Sequence, residues 1–339
     1  MSDRPAPPRP ATVAVAGATG RAGRALVAGF LAEGVAVRAL ARDVQRARAA
    51  LPVAVSVGRW DGPDGELDQA ALQGCDVVVN AVGKREGWAR DPGTFHERNV
   101  ACATALFEAA CQAGVPRLVH VSTMDVLDAP PGGTLSEDRV ADRPKPTPYQ
   151  RSKQQAEQAL LDLATTGSTD LVLVNPSGIY GPTEPLPGSI EAGLLGPLAA
   201  GKLPFLPPGT MSLVFERSFA AGTFLASWRG RPGRRYVLCD ATVTVRELAA
   251  LVVQCAGRRR VPPTLPRGVA RALAGVAEGI ARVTGAQPML SRGELQYLAW
   301  GARPDTARAV DELGWSPTPL QDGIAETIAA LRGTPQAEG

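Results

Sequence analysis

The chain has 339 residues, of which 45% are hydrophobic and 20% charged, and its formal net charge is +3 at pH 7. This length and apolar fraction fit one large α/β unit, or two coupled lobes, with a sizeable core. The weak, dispersed positive charge argues against a nucleic-acid partner. Five cysteines without a C-x-x-C pair, and only two histidines, argue against a disulfide framework and a metal site.

The two ends of the chain predict short tails. Residues 1–11, MSDRPAPPRPA, are rich in proline and lack the apolar stretch of a signal peptide, so we predict a disordered tail there and a second tail at 334–339. No run of 18 apolar residues is present to cross a membrane. We therefore expect a cytoplasmic protein, a monomer or a homodimer, without a membrane partner.

From residue 12 onward, the first half alternates short apolar runs with helix-like segments. The strand-like runs are TVAVAG, VAVRALARD, PVAVSV, DVVVNAVG, PRLVHVST and DLVLVNP. Continuous Val/Leu runs separated by helices are typical of a parallel sheet that is covered on both faces. Right-handed crossovers then give a Rossmann-type, doubly wound α/β fold.

After Pro176 the sequence becomes rich in proline and glycine, with scattered helical segments. This change predicts a smaller, mostly helical C-terminal substrate lobe. We assign residues 12–175 and about 212–243 to a dinucleotide-binding domain, and residues 176–211 and 244–333 to the substrate-binding lobe. The run GVARALAGVAEGIARVTG is interpreted as an amphipathic surface helix rather than a membrane contact.

A glycine-rich turn, GATGRAG, joins the first strand to the first helix. Gly17 permits the tight turn, Gly20 lets the backbone approach a pyrophosphate, and Gly23 lets the helix pack close to the strand. The free N–H groups of the helix N-terminus would bind the phosphates. The pattern predicts a dinucleotide site, and its alternative is a tight turn that binds nothing.

Arginines stand where an NAD-binding chain would carry a carboxylate for the ribose 2′-hydroxyl. Arg42 ends the second strand, and Arg21 lies within the glycine turn. Guanidinium groups suit a 2′-phosphate, so we predict NADP(H), with NAD(H) as the alternative. Asp43 remains a candidate ribose ligand, and solvated surface arginines remain the alternative interpretation.

The stretch TPYQRSKQQAEQAL places Tyr149 and Lys153 four residues apart, on one face of a predicted helix. A free tyrosine has a pKa near ~10, and an ammonium group one turn away stabilises the phenolate and lowers that pKa. The spacing therefore predicts a proton donor with its activator. Two polar residues on a helix surface are the alternative.

These motifs, together with DVVVNAVG, NVACATALFEAACQAGVPRLVHVST and NPSGIYGP, make the chain resemble the extended short-chain dehydrogenase/reductase family, which is NAD-dependent epimerase/dehydratase-like. At Gly178 the sequence is similar to the branch of the family that includes dihydroflavonol reductases and 3β-hydroxysteroid dehydrogenases. The resemblance implies that Thr123 bonds the substrate carbonyl, Tyr149 delivers the proton, and Lys153 bonds the nicotinamide ribose. It gives Asn99 a supporting role, for which helix packing is the alternative.

The motifs also define the cofactor site that we expect. Its predicted residues are Gly17, Thr19, Gly20, Arg21, Gly23, Arg42, Asn80, Ala81, Val82, Ser122, Lys153 and Pro176. In the family the third strand usually ends in Gly-Asp-Leu, whereas here Arg59 and Asp61 follow the glycine. Either of these two residues is a candidate contact for the adenine. Met124 and Asp125 stand where sugar-nucleotide dehydratases carry Asp-Glu, so we do not expect water elimination.

A hydrophobic pocket is predicted for the substrate, although each of its members alone suits a core position better than a ligand contact. The predicted wall residues are Trp88, Ser177, Tyr180, Phe205 and Met211. Glu216 and Arg217 are interpreted as a local ion pair. We predict an NADP(H)-dependent ketoreductase or alcohol dehydrogenase for a hydrophobic ketone, polycyclic ketones included, which fits a biosynthetic tailoring enzyme. The alternatives are a nucleotide-sugar epimerase with retained NAD and a non-catalytic NADP-binding regulator.

Overall fold

The computed structural model describes residues 7–84, 93–186, 188–284 and 291–333. The strands within these residues are β1 Thr12–Ala16, β2 Ala36–Ala41, β3 Ser56–Arg59, β4 Val77–Asn80, β5 Arg117–Val121, β6 Thr134–Leu135, β7 Asp170–Pro176, β8 Gly178–Tyr180, β9 Thr210–Phe215, β10 Arg235–Leu238, β11 Ala241–Thr244 and β12 Arg303–Pro304. The helices are α1 Arg21–Ala32, α2 Val44–Ala50, α3 Gly93–His96, α4 Cys102–Gln112, α5 Pro148–Ala164, α6 Gly196–Ala200, α7 Glu216–Arg229, α8 Val245–Cys255, α9 Arg267–Thr284, α10 Arg292–Trp300 and α11 Leu320–Gly333.

Seven parallel strands form the central sheet, in the order β10-β7-β5-β4-β1-β2-β3. The strand order reverses between β1 and β4, which is the place where doubly wound sheets bind dinucleotides. The predicted Rossmann-type fold is confirmed. The third strand begins four residues later than its apolar run, because Val55 N–H donates to the Pro52 carbonyl and closes a turn that leaves Val53 exposed.

The apolar strands are covered on both faces, as their continuous Val/Leu pattern requires. One face packs against α1 and α7, and the other packs against α4 and α5. On the first face Gly29 of α1 lies against the Cβ of Ala220 in α7, so a larger side chain would push the two helices apart. This packing holds the first turn of α1 at the edge of the sheet where β1 and β4 end.

A second, three-stranded sheet has the order β11-β9-β8 and packs with α6, α8, α10 and α11 around its own apolar core. Within the segment 212–243, β10 joins the central sheet whereas β11 joins the small one. The chain therefore crosses between the two regions more than once, and the predicted division into two domains stays a prediction.

Residues 7–11 of the predicted N-terminal tail include specific contacts. Arg9 pairs with Glu33 at 2.8 Å and lies over the ring of Phe224, while Ala11 N–H donates to Asp76. Among the described residues, no helix has the length and apolarity needed to cross a membrane.

Candidate active site

The glycine turn between β1 and α1 has the backbone that a dinucleotide cradle needs. Gly17 has a φ of +78°, and a Cβ there would lie 2.7 Å from the Ala81 carbonyl oxygen. A Cβ on Gly23 would clash with the Gly17 carbonyl. Gly20 begins α1 without a side-chain cap, so the first-turn N–H groups are available to an anion. Thr19 is half-buried, and its carbonyl oxygen accepts from Arg24.

Local sequence explains why α5, the helix that includes Tyr149 and Lys153, begins where it does. Thr147 accepts from the Gln150 N–H at 3.2 Å, and the Gln150 side chain accepts from the Thr147 N–H, which together form a capping box. Pro148 occupies the first helical position, where its missing N–H costs nothing. Tyr149 and Lys153 therefore lie in the first two turns of α5.

A cleft of about 640 Å³ opens at the carboxyl ends of the central strands. It is lined by Thr123 after β5 and by Tyr149 and Lys153 of α5, so residues from distant parts of the sequence share one space. The other predicted site residues that line it are Gly20, Arg21, Ala81, Val82, Ser122, Pro176, Ser177 and Met211.

Lys153 is only 5% exposed, and its Nζ donates to the Val121 carbonyl at 2.9 Å. Burial lowers the pKa of Lys153 to about 8, and the negative charge of Glu157 opposes part of that change. The neighbouring His120 is wholly buried, and burial holds its pKa well below its ordinary value, so its ring is neutral at physiological pH. The protonation state of Lys153 therefore depends on the few groups that surround it.

Tyr149 is half-buried, and its ring meets that of Phe95 edge-on with the ring centroids 6.3 Å apart. Phe95 belongs to α3 and is 2% exposed. This contact restricts the phenol ring on the side of α3.

Asn99 lies in a π-helical turn, Glu97–Ala101, between α3 and α4. Its Oδ1 accepts from the Lys84 N–H at 2.7 Å, and its Nδ2 donates to the Lys84 carbonyl and, at 2.7 Å, to Ser152 Oγ. Ser152 Oγ in turn donates to the Tyr149 carbonyl at 2.7 Å. Asn99 thus joins the segment after β4 to α5 without lining the cleft, and its supporting role stays a prediction.

Asn80 lies beneath the cleft, where it fixes the chain that follows β4. Its Oδ1 accepts from the Val82 N–H at 3.1 Å, and its Nδ2 lies 3.2 Å from His120 Nδ1. Because Ala81 and Val82 line the cleft, Asn80 helps to position this part of the cleft wall.

The prediction that Arg21 serves a 2′-phosphate needs correction. Arg21 is 7% exposed, and its guanidinium donates to Glu191 at 3.0 Å and to Glu216. Those carboxylates also accept from the Gly181 N–H and from Thr183. Two buried carboxylates from distant segments thus occupy this guanidinium, which leaves it no free charge for a phosphate.

The prediction of a local ion pair between Glu216 and Arg217 is also wrong. Glu216, the first residue of α7, turns inward to Arg21, whereas Arg217 turns outward to Glu326. Adjacent residues on a helix project about 100° apart, which is why they find different partners here.

Arg42 is exposed directly after β2, and no hydrogen bond or ion pair involves its side chain within the described residues. Asp43 caps α2 by accepting from the Arg46 N–H at 2.9 Å. Arg59 and Asp61, the two candidate adenine contacts, pair with each other at 2.8 Å. Among the described residues, the Arg42 guanidinium at the end of β2 is therefore unpaired, whereas the Asp43 carboxylate caps α2.

Two predicted pocket residues lie elsewhere, and both assignments are corrected. Tyr180 is 0% exposed and packs against Phe215 and Gly323 inside the small lobe, where burial raises its pKa. It is the last residue of β8, and its side chain points away from the cleft. Phe205 is 39% exposed and does not line the cleft. Trp88 lies outside the described residues.

Much of the apolar wall is formed by side chains that are not among the predicted pocket residues. They are Ile179, Leu186, Ile190 and Tyr297. Tyr297 comes from α10, nearly 150 residues after the catalytic helix begins, and no motif marks it. Asp125 also lines the cleft, and burial raises its pKa from 3.8 to about 6, while the Thr123 hydroxyl and Lys145 oppose this change.

The comparisons with known proteins agree with this geometry. The model of the NAD dependent epimerase/dehydratase family matches residues 13–219. The chain belongs to this family. As a family member it is an enzyme, an NAD(P)-dependent oxidoreductase of the extended short-chain dehydrogenase/reductase type.

The sequence similarity to individual proteins extends beyond the residues that the family model matches. Sterol demethylase protein B of Methylococcus capsulatus is 29% identical over 331 residues, covering 95% of this chain and 98% of the relative. A 4-hydroxy-2-methyl-3-oxo-4-farnesyl-3,4-dihydroquinoline-1-oxide ketoreductase of Stigmatella aurantiaca is 30% identical over 274 residues, covering 79% and 80%. The crystal structure of gox2253 superposes with a TM-score of 0.78 at 27% identity, covering 95% and 98% of the two chains.

Proposed function

We propose that this chain is an NADP(H)-dependent ketoreductase, or alcohol dehydrogenase, for a hydrophobic ketone. The observation that carries the proposal is one cleft in which Thr123, Tyr149 and Lys153 face a glycine cradle across apolar walls. A nicotinamide cofactor supplies or accepts the hydride when it is bound. The chain's own residues supply binding, orientation and the proton.

The cradle fits the phosphates of a dinucleotide. A Cβ at Gly17 or Gly23 would fill the space that the backbone leaves open, and the uncapped N-terminus of α1 points its N–H groups there. Arg42 would bind the 2′-phosphate of NADP(H), because its guanidinium follows β2 and the adjacent Asp43 caps α2.

The proton chemistry follows from the positions of the three side chains. Thr123 Oγ donates to the carbonyl oxygen of the substrate and fixes it near Tyr149. Tyr149 gives its phenolic proton to that oxygen as the alkoxide develops, and Lys153 stabilises the resulting phenolate. In the opposite direction the phenolate accepts the proton of the alcohol.

The substrate class follows from the apolar wall, which includes Ile179, Leu186, Ile190 and Met211. The Stigmatella relative is named for a farnesyl-bearing 3-oxo compound, which supports a hydrophobic ketone for this chain as well. A biosynthetic tailoring role, a cytoplasmic location and a monomeric or homodimeric state belong to the same proposal.

A direct test is consumption of external NADPH in the presence of a panel of hydrophobic ketones, with analysis of any nucleotide bound to the purified protein. We expect NADPH oxidation that depends on the ketone. Tightly bound NAD without NADPH consumption would favour a nucleotide-sugar epimerase. Binding of NADPH without any turnover would favour a non-catalytic NADP-binding regulator.

A further inference from the structure

Glu157 is a buried carboxylate one turn beyond Lys153 on α5. It is 2% exposed, so its charge is withdrawn from water and must be balanced by protein groups. Arg235 Nε of β10 donates to its Oε2 at 2.6 Å, and Asn175 Nδ2 of β7 donates to its Oε1 at 2.7 Å. The carboxylate therefore joins the catalytic helix to two strands of the central sheet.

The same Asn175 amide also reaches the residue that would bind the substrate. Its Nδ2 donates to the Thr123 carbonyl at 3.0 Å, and Asn175 is itself fully buried. The carboxylate of Glu157 orients this amide, and the amide holds the backbone of Thr123 at the end of β5. A displacement of Glu157 would thus move Thr123 relative to α5.

Glu157 also acts on Lys153 through its charge. Burial lowers the pKa of Lys153, and Glu157 is the carboxylate that raises it again. The other titratable groups near this pair are His120 of β5, which is neutral, Arg235, which pairs with Glu157, and Tyr149, which lines the same cleft as Lys153. The negative charge of Glu157 therefore favours the ammonium form of Lys153.

We propose that Glu157 is a positioning residue for the reaction, which sets the place of Thr123 through Asn175 and puts a carboxylate one helical turn from Lys153. This inference rests on the proposed roles of Thr123 and Lys153. It adds to them a residue that touches neither substrate nor cofactor. Its effect reaches two elements of the cleft, because Thr123 follows β5 and Lys153 lies on α5.

The test compares Glu157→Gln with Glu137→Gln. Glu137 is a suitable control, because it is also buried, at 5% exposed, and its carboxylate accepts from the Val237 N–H at 3.0 Å rather than from the catalytic elements. The chain contains four lysines, so protein labelled with [13C]lysine gives few Cε signals, and the Lys153 signal is the one lost in Lys153→Met. Titration of that signal measures the Lys153 pKa directly in the folded protein.

We expect the Lys153 pKa to fall below its wild-type value of about 8 in Glu157→Gln and to stay unchanged in Glu137→Gln. The kcat/KM for a reducible ketone should fall about 10- to 100-fold in Glu157→Gln alone, while the Kd for NADPH stays near that of wild type. An unchanged kcat/KM in folded Glu157→Gln overturns the positioning of Thr123, and an unchanged Lys153 pKa overturns the effect of the carboxylate on Lys153. The titration needs no substrate, so its outcome is separate from that of the ketoreductase assay.

Discussion

Replacement of Arg21 by glutamine should destabilise the fold far more than the same replacement at an exposed arginine. Arg21 is 7% exposed and pairs with Glu191 and Glu216, which are 0% and 7% exposed. Removal of one partner from a buried ion pair typically costs about 3–5 kcal/mol, because the remaining charge stays buried without compensation. Here Gly181 and Thr183 still donate to the two carboxylates, so we expect a cost near the lower end, about 3 kcal/mol.

Arg217→Gln is the matched control for Arg21→Gln. Arg217 pairs with Glu326, but the two side chains are 68% and 36% exposed. Such a pair contributes about 0–1 kcal/mol, and its contact with the Phe215 ring adds little more. Unfolding in urea, followed by circular dichroism, gives the free energy of unfolding of each variant from its midpoint and slope. Equal and small losses in both variants would refute the buried ion pair between Arg21 and its carboxylates.

The same variant tests whether Arg21 affects the choice between NADPH and NADH. Because the Arg21 guanidinium of wild type is paired with two carboxylates, folded Arg21→Gln should change the Kd for NADPH and the Kd for NADH by the same factor. Arg42→Ala should weaken NADPH binding about 10- to 100-fold, which corresponds to the loss of a charge-assisted hydrogen bond. The effect on NADH binding should be much smaller, and Arg48→Ala is the control. Equal losses of affinity for both cofactors would show that Arg42 does not bind the 2′-phosphate. Asp125 has a folded-state pKa raised from 3.8 to about 6, so the folded state binds the proton more tightly and stability falls as pH rises through this range. The free energy of unfolding of Asp125→Asn should therefore rise relative to that of wild type between pH 4 and pH 7.5, by up to about 3 kcal/mol in chemical unfolding. If the difference between the two proteins stayed constant across that range, burial would not raise the pKa of Asp125.

Local patterns in the sequence predict the fold, which is confirmed, and the candidate catalytic residues, whose roles stay predictions. The glycine turn, the Val/Leu strands and the Tyr149–Lys153 spacing each depend on neighbours within one or two elements, so sequence alone can reveal them. The third strand was misplaced because PVAVSV is apolar, although Pro52 starts a turn there. Its apolarity gave no sign of that turn.

Partners that are distant in the sequence were not predictable. Arg21 finds its carboxylates 170 and 195 residues away, and such pairing depends on how the small lobe folds over α1. Tyr180 was assigned to the pocket from its motif, although the strand β8 turns its side chain into the core. Tyr297 carries no signal in α10, because only the assembled lobes bring it to the cleft. Sequence thus predicts the candidate catalytic residues, and tertiary packing determines which side chains surround them.

The central claim is that Tyr149 donates the proton to an apolar ketone. The most direct measurement compares wild type with Tyr149→Phe in the rate of NADPH oxidation with a reducible hydrophobic ketone, alongside the Kd for NADPH. We predict a loss of about 10²-fold or more in kcat with an almost unchanged Kd, since the substitution removes only the phenolic hydroxyl. Full activity in Tyr149→Phe would show that the proton comes from another group, and would contradict the proposed mechanism.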